Sequence, residues 1–440
     1  MNIFIEGGTI ITMDAKRRVF EGDIYIEGGK IHSLGPSGLV KPPAGTRTLR
    51  AYGCYILPGF VQSHIHLCQV LFRGHAEDRA LMPWLMERIW PFEGAHKKKS
   101  LQASAQLGIA ELLLGGTTAA LDMGTVQHTQ VLFQTAARMG FRLTTGKAMM
   151  DKGSPRPGNL KETTEESLKA SKRLCKKWHE AENGRLRYAY APRFILSCTQ
   201  KLLQQVSIDA REMGVLIHTH AAENPGELEV VKKQWGKSNI EALHELGISG
   251  DDVLLAHCVH LSAKERKLLA KTNTAVAHCP STNLKLASGI ADVPGLREAG
   301  IRVGIGADGA PCNNRMSMFT EMRSASLLQK PRHGAGALPA REVLEMATRG
   351  GAEIIGLDNV GHLGVGMRGD VIVVDASKPH MRPAPEDPYS ALVYSAEARD
   401  VRDVFVDGAW LVRNSELVRA DVGLICNDAE AELKKLKKRV

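Results

Sequence analysis

The sequence predicts an α/β protein in which a (β/α)8 TIM-type barrel carries a small β-sandwich domain formed from both chain ends. Three observations predict it. Short strands broken by glycine turns fill both termini, short apolar runs alternate with longer helical segments between them, and histidines and acids gather where the central strands end. The expected division is 1–56 for the first part of the sandwich, 57–361 for the barrel, and 362–440 for the rest of the sandwich and a C-terminal helix.

At the N-terminus, stretches 3–5, 9–12, 23–26 and 30–33 suit a small sheet. At the other end, 370–374 and 401–406 read as strands, Asp407-Gly408 as a hairpin turn and 410–412 as the returning strand. Chain ends with the same texture can pair into one unit. Between them lie eight strand candidates at 59–66, 117–123, 142–150, 186–193, 215–223, 253–260, 274–280 and 301–309. Helical stretches such as 101–114, 165–178 and 202–213 separate them. Eight such units favour a closed barrel over an open doubly wound sheet. No strand-to-helix turn carries GxGxxG or a P-loop, which argues against a nucleotide-cofactor fold.

With 440 residues, 43% hydrophobic and 24% charged, the chain can bury a large core without disulfides. Its eight cysteines are scattered with no CxxC pair. It opens without a signal-peptide pattern, and no apolar run approaches the ~20 residues of a membrane span. These features predict a cytoplasmic protein with free thiols that does not engage a membrane. The net charge of +9 owes part of its excess to the run from Lys434 to Arg439, which reads as a solvated helix end. No basic and aromatic groove motif accompanies it, so nucleic acid is not an expected partner.

The residues that carry chemistry sit where a barrel places them. His64-Ile65-His66 closes strand one, His218-Thr219-His220 lies near the end of strand five with Glu223 just beyond, His257 falls in strand six, and Asp308 closes strand eight. Residues two apart on a strand face the same side, so His64 and His66 can meet one ion. A lone His-x-His is more often a pair of ordinary histidines. Two such pairs, with a further histidine and an aspartate in register, are not. Imidazole nitrogen with one carboxylate suits zinc, and also iron or manganese.

The run from Pro58 to His66 resembles the first metal motif of the amidohydrolase superfamily, and 218–223, 256–261 and 306–309 resemble its strand-five, strand-six and strand-eight segments. The likeness spans nearly the whole chain. Within the superfamily the chain is similar to the branch of cytosine, guanine and S-adenosylhomocysteine or methylthioadenosine deaminases and s-triazine hydrolases. The resemblance implies a metal-dependent aminohydrolase with His64, His66, His220 and Asp308 on one divalent metal, Zn2+ first, with Fe2+ or Mn2+ as alternatives. It implies Glu223 as the proton shuttle, and His257 with Asp308 as the groups that hold the attacking water. His218 shares a face with His220 but lies one layer deeper and reads as a core histidine. Strand four ends in Ala191-Pro192-Arg193, without the lysine that bridges two metals in other members, so one metal is expected.

The resemblance also bears on substrate. The segment from Trp84 to Glu93, and those at 283–289 and 308–314, resemble adenosine-type deaminases, in which the residues matching Trp84 and Glu93 stack on the base and bind ribose hydroxyls. Gln69, Pro192-Arg193-Phe194 and the stretch from Lys147 to Asp151 resemble guanine deaminases, where Gln69 and Arg193 would read the purine edge; the resemblance also implies Lys147 as a substrate-binding residue. Arg193 stands where adenosine-type relatives often carry histidine, which favours a small or neutral 5′ group. Arg156 could hold a charged tail, but reads as a solvated loop residue. The expected activity is hydrolytic deamination of an adenosine-type nucleoside (adenosine, 5′-deoxyadenosine, methylthioadenosine or S-adenosylhomocysteine) to the inosine analogue and ammonia, by a hydroxide generated at the metal. The alternatives are a guanine, pterin or s-triazine aminohydrolase or chlorohydrolase with the same site and, more distantly, a non-catalytic scaffold. The partner expected is a small aminopurine-type molecule, and relatives extend this to homo-oligomers.

Overall fold

The computed structural model describes residues 2–153 and 157–440. Arg156 lies outside them. Eight parallel strands follow one another around a barrel: Phe60–Ile65, Thr117–Met123, Arg142–Gly146, Leu186–Pro192, Leu216–Ala221, Val253–His257, Ala275–His278 and Val303–Ile305. Most are buried along their whole length, as parallel strands covered on both faces must be. Helices Lys98–Leu114, Thr164–Trp178 and Gln200–Glu212 fall where the apolar periodicity predicts them. The second starts sharply because Thr163 and Glu166 satisfy each other's backbone amides.

Strands one and eight close the ring through a short contact rather than a full ladder. The Asp308 amide donates to the His64 carbonyl at 3.0 Å, and Ile65 bridges Asp308. Gly306 permits this approach, since a Cβ there would stand 2.6 Å from the His64 carbonyl oxygen. Strands five, six and eight stop sooner than the sequence predicts. Ala222, His257, Cys258 and Asp308 have φ of 51°, 75°, 46° and 61°. Left-handed backbone of this kind ends a ladder. The chain therefore turns at these points, and Glu223 and Asp308 stand on loops at the barrel mouth.

Strands from both chain ends join in one curled ten-stranded sheet, which is the form the expected sandwich takes. Cys54–Pro58 pairs antiparallel with Val371–Asp375, Leu57 opposite Ile372, so the ends are joined at the strand that leads directly into the barrel. The sheet closes over Ile3, Ile5, Ile26, Val373, Phe405 and Trp410. Asp407 and Gly408 have φ of 47° and 67°, the paired left-handed turn whose twist matches its flanking strands. The C-terminal helix Val422–Lys437 packs on Lys98–Leu114. Among the described residues, no helix is long and apolar enough to cross a membrane.

A buried ion pair joins barrel to sheet. Arg142, at the start of strand three, donates through Nε and Nη2 to both oxygens of Asp370 at 2.8 Å, and through Nη2 to Asp407 at 2.6 Å. Arg142 and Asp370 are both buried. Removing one partner of such a pair strands the other's charge in a low-dielectric interior, so Arg142→Met is expected to cost about 3–5 kcal/mol. The measurement is the urea unfolding midpoint, and an unchanged midpoint would show that the pair contributes nothing to the barrel–sheet junction.

Candidate metal centre and substrate pocket

Strands one, five and eight bring His64, His66, His220 and Asp308 together at the barrel mouth. Their ligand atoms all lie within 4.8 Å of one another. His64 Nε2 and His66 Nε2 stand 3.2 and 3.3 Å from Asp308 Oδ1. His66 Nε2 and His220 Nε2 face each other at 3.3 Å.

The outer sides of these rings fix their protons. His66 Nδ1 donates to the Met123 carbonyl at 3.0 Å and His220 Nδ1 to the Arg193 carbonyl at 2.6 Å. A carbonyl can only accept, so each Nδ1 carries the proton and each Nε2 presents a lone pair inward. His64 Nδ1 meets His218 Nε2 at 2.8 Å, which places His218 one layer deeper, behind the cluster. His64 Nε2 is buried without a hydrogen-bond partner. Burial holds the His64 ring neutral, with its pKa lowered to about 4. Asp308 is held well below the usual carboxylate range; its burial opposes ionisation, but the His64 and His66 rings beside its Oδ1 outweigh it. Inward lone pairs with one ionised carboxylate suit a divalent cation of the zinc type.

Two further groups face the cluster. His257 Nδ1 donates to Asn283 Oδ1 at 2.9 Å, leaving Nε2 3.5 Å from Glu223 Oε2 and 3.9 Å from Asp308 Oδ2. Glu223 Oε1 is buried without a partner. Burial, with the nearby charges of Asp308 and Glu227, raises the Glu223 pKa well above that of an ordinary carboxyl. Asn283 and Glu227 were not singled out for a role from the sequence. The visible signal for Glu227 is its spacing, four residues after Glu223 and at the start of a helix.

A pocket opens over this group, walled by Leu81, Trp84, Leu85, Phe194 and Leu286, with Gln69 and Arg193 as further polar lining. Glu93 stands behind that lining rather than in it. Its oxygens take Arg193 Nη1 at 2.6 Å and Gln69 Nε2 at 2.9 Å. Lys147, expected beside the substrate, instead lines a separate cavity, with Nζ 2.5 Å from Glu162 Oε2. The reason is that Glu162 provides a buried carboxylate partner on that side of strand three. Both residues are almost fully enclosed.

Comparison with known proteins gives a consistent result. Residues 55–411 match the model of the amidohydrolase family. A 5-methylthioadenosine/S-adenosylhomocysteine deaminase from Desulfitobacterium hafniense is 36% identical over 415 residues, 94% of each chain. A 5′-deoxyadenosine deaminase from Methanosarcina acetivorans is 35% identical over 437 residues, 99% of this chain and 98% of its own. An adenosine deaminase from Xanthomonas campestris, solved with bound zinc, superposes with a TM-score of 0.93 at 29% identity, covering 99% of this chain and 98% of that one. The family match runs from the joining strand through all eight barrel strands and into the C-terminal hairpin. On that extent of agreement, the chain belongs to the amidohydrolase family.

Proposed function

We propose that this protein hydrolytically deaminates an adenosine-type nucleoside with a small or neutral 5′ group, releasing ammonia and the inosine analogue. One observation carries the reading: a largely enclosed His3Asp set shares a pocket with Glu223 and His257, in a chain whose near-full-length relatives bear nucleoside deaminase names. His64, His66, His220 and Asp308 would hold one divalent cation, zinc on this reading with Fe2+ or Mn2+ as alternatives. That cation supplies the Lewis acidity that makes water nucleophilic near neutral pH.

The chain's own groups do the rest. His257 Nε2 and Asp308 Oδ2, 3.9 Å apart, orient the incoming water by accepting its hydrogens. Glu223, holding its proton to higher pH than usual, donates it to the ring nitrogen beside the amine-bearing carbon. That carbon becomes electrophilic. The same carboxylate then receives a proton from the attacking oxygen and passes it to the departing amine, and it regains its own proton when the oxygen gives up its remaining hydrogen to become the carbonyl. Trp84 stacks on the base, while Leu81, Leu85 and Phe194 exclude water. Gln69 and Arg193 contact the substrate's polar atoms, with Glu93 bracing both.

A second reading has support from Gln69 and Arg193, whose pattern suits a guanine-type ring on the same chemistry. Ammonia release from 5′-deoxyadenosine, methylthioadenosine, adenosine, guanine and melamine separates the two. The adenosine series should turn over fastest, and turnover of guanine alone would reverse the assignment. Glu223→Gln should retain its metal and lose ~10²–10⁴ of kcat. A variant with near-normal turnover would remove Glu223 from proton transfer. Chelation should abolish activity, and zinc should restore it. Metal analysis of the purified protein that finds no divalent ion would tell against the whole scheme.

A further inference from the structure

A carboxylate held only by uncharged donors lies next to Glu223. Glu227 lines the substrate pocket, is 1% exposed, and sits in the first turn of helix Pro225–Trp235. The Glu223 backbone N–H donates to its Oε2 at 2.9 Å, and Asn239 Nδ2 donates to its Oε1 at 2.8 Å. Burying a carboxylate without a cation is costly, and an uncharged residue of similar shape would pack there at less cost. The expense calls for a role beyond packing.

The surrounding backbone indicates what that role is. Strand five ends at Ala221, and Ala222 turns with a φ of 51°. The Ala222 carbonyl accepts from Val259 N at 2.9 Å and His260 N at 3.0 Å, which ties it to the loop after strand six. On the other side, Asn224 caps the helix by accepting from Gly226 N at 3.1 Å. Both neighbours of Glu223 are thereby fixed. Its own amide is fixed by Glu227, one helical turn ahead, and Asn239 holds Glu227 from the next helix, Asn239–Glu245.

We propose that Glu227 is the positioning residue for Glu223: with Asn239 it clamps the Glu223 amide, so that the Glu223 carboxyl stays over the metal ligands and within 3.5 Å of His257. This rests on Glu223 as the proton carrier. The clamp matters because it holds the Glu223 amide itself between two neighbours that are already fixed, and proton transfer tolerates little misplacement. A shift of about 1 Å can cost ~10²-fold in rate.

The test compares Glu227→Leu with Glu227→Gln, using metal-loaded protein and the best nucleoside substrate. Glutamine keeps an oxygen for the Glu223 amide. Its new N–H2 can face Asn239 Oδ1, which is buried without a partner, once the asparagine amide turns over. Glu227→Leu should lose ~10²-fold in kcat with KM and metal content unchanged, while Glu227→Gln should recover to within about tenfold of the parent. In a Glu223→Gln background, Glu227→Leu should cost almost nothing further, because a residue acting through another adds no separate loss. Full turnover by Glu227→Leu, equal damage from leucine and glutamine, or an additive loss in that background would each overturn the clamp. If Glu227→Leu fails to fold by circular dichroism, Asn239→Ala replaces it. That variant should lose kcat several-fold at unchanged KM, and no loss overturns the proposal equally. An active Glu223→Gln would defeat the reading of Glu223 itself, whereas an inactive one beside an unaffected Glu227→Leu defeats only the clamp.

Discussion

The site is organised by two imidazoles that face each other with nothing to share. His66 and His220 each commit a ring proton to a backbone carbonyl, so two lone pairs meet across 3.3 Å at the floor of the pocket, with Asp308 Oδ1 beside them. Such an arrangement is repulsive unless a positive charge sits between the rings. The barrel's closure serves this constraint. Strand eight reaches strand one only because Gly306 lets backbone touch backbone, and that contact carries Asp308 to the histidines of strand one. Burial keeps His64 neutral, so the cluster gains a third nitrogen rather than a positive charge.

Bringing these groups together requires backbone that the chain would not otherwise adopt. His257 and Asp308 both have left-handed φ with ordinary side chains, a strain of order 1–3 kcal/mol each. The surroundings hold them there. Asn283 grips the His257 ring from behind. Around Asp308, Asn313 Nδ2 donates to the Ala307 carbonyl at 2.7 Å and to Glu321 Oε1 at 2.9 Å. Glu321 also takes the Ser281 hydroxyl and amide, which ties the loop after strand eight to the loop after strand seven. Glu321 is itself fully enclosed, with burial raising its pKa to about 7. Strain at the reacting centre is thus met by buried polar networks one step outside it.

What could be read from the sequence follows from the range of each interaction. The His-x-His pairs, the period of the apolar runs and the Asp407-Gly408 turn are local patterns, and the barrel, the joined chain ends and the clustering of His64, His66, His220 and Asp308 follow from them. The ends of strands five and six were less legible, because residues other than glycine occupy the left-handed positions that terminate them. Least legible were charge pairs between distant segments. Nothing near Lys147 in the sequence indicates that Glu162 will draw it into another cavity, and nothing near Glu93 indicates that Arg193 will cover it.

That last pair shapes what the pocket can recognise. Glu93 can only accept, so Gln69 must turn its Nε2 toward it, leaving Gln69 Oε1 against Gly309, where no side chain would fit. Arg193 uses Nη1 on Glu93, and its remaining N–H groups are left for acceptor atoms of whatever fills the pocket. The wall therefore presents a guanidinium to the pocket, and the Glu93 carboxylate stands one layer back. Exchange of Arg193 alone would leave Glu93 buried and uncompensated, at a cost of about 3–5 kcal/mol. Substrate preference and stability are thus tied at this position. A chain that changes what the pocket recognises through residue 193 has to change residue 93 or its neighbours with it.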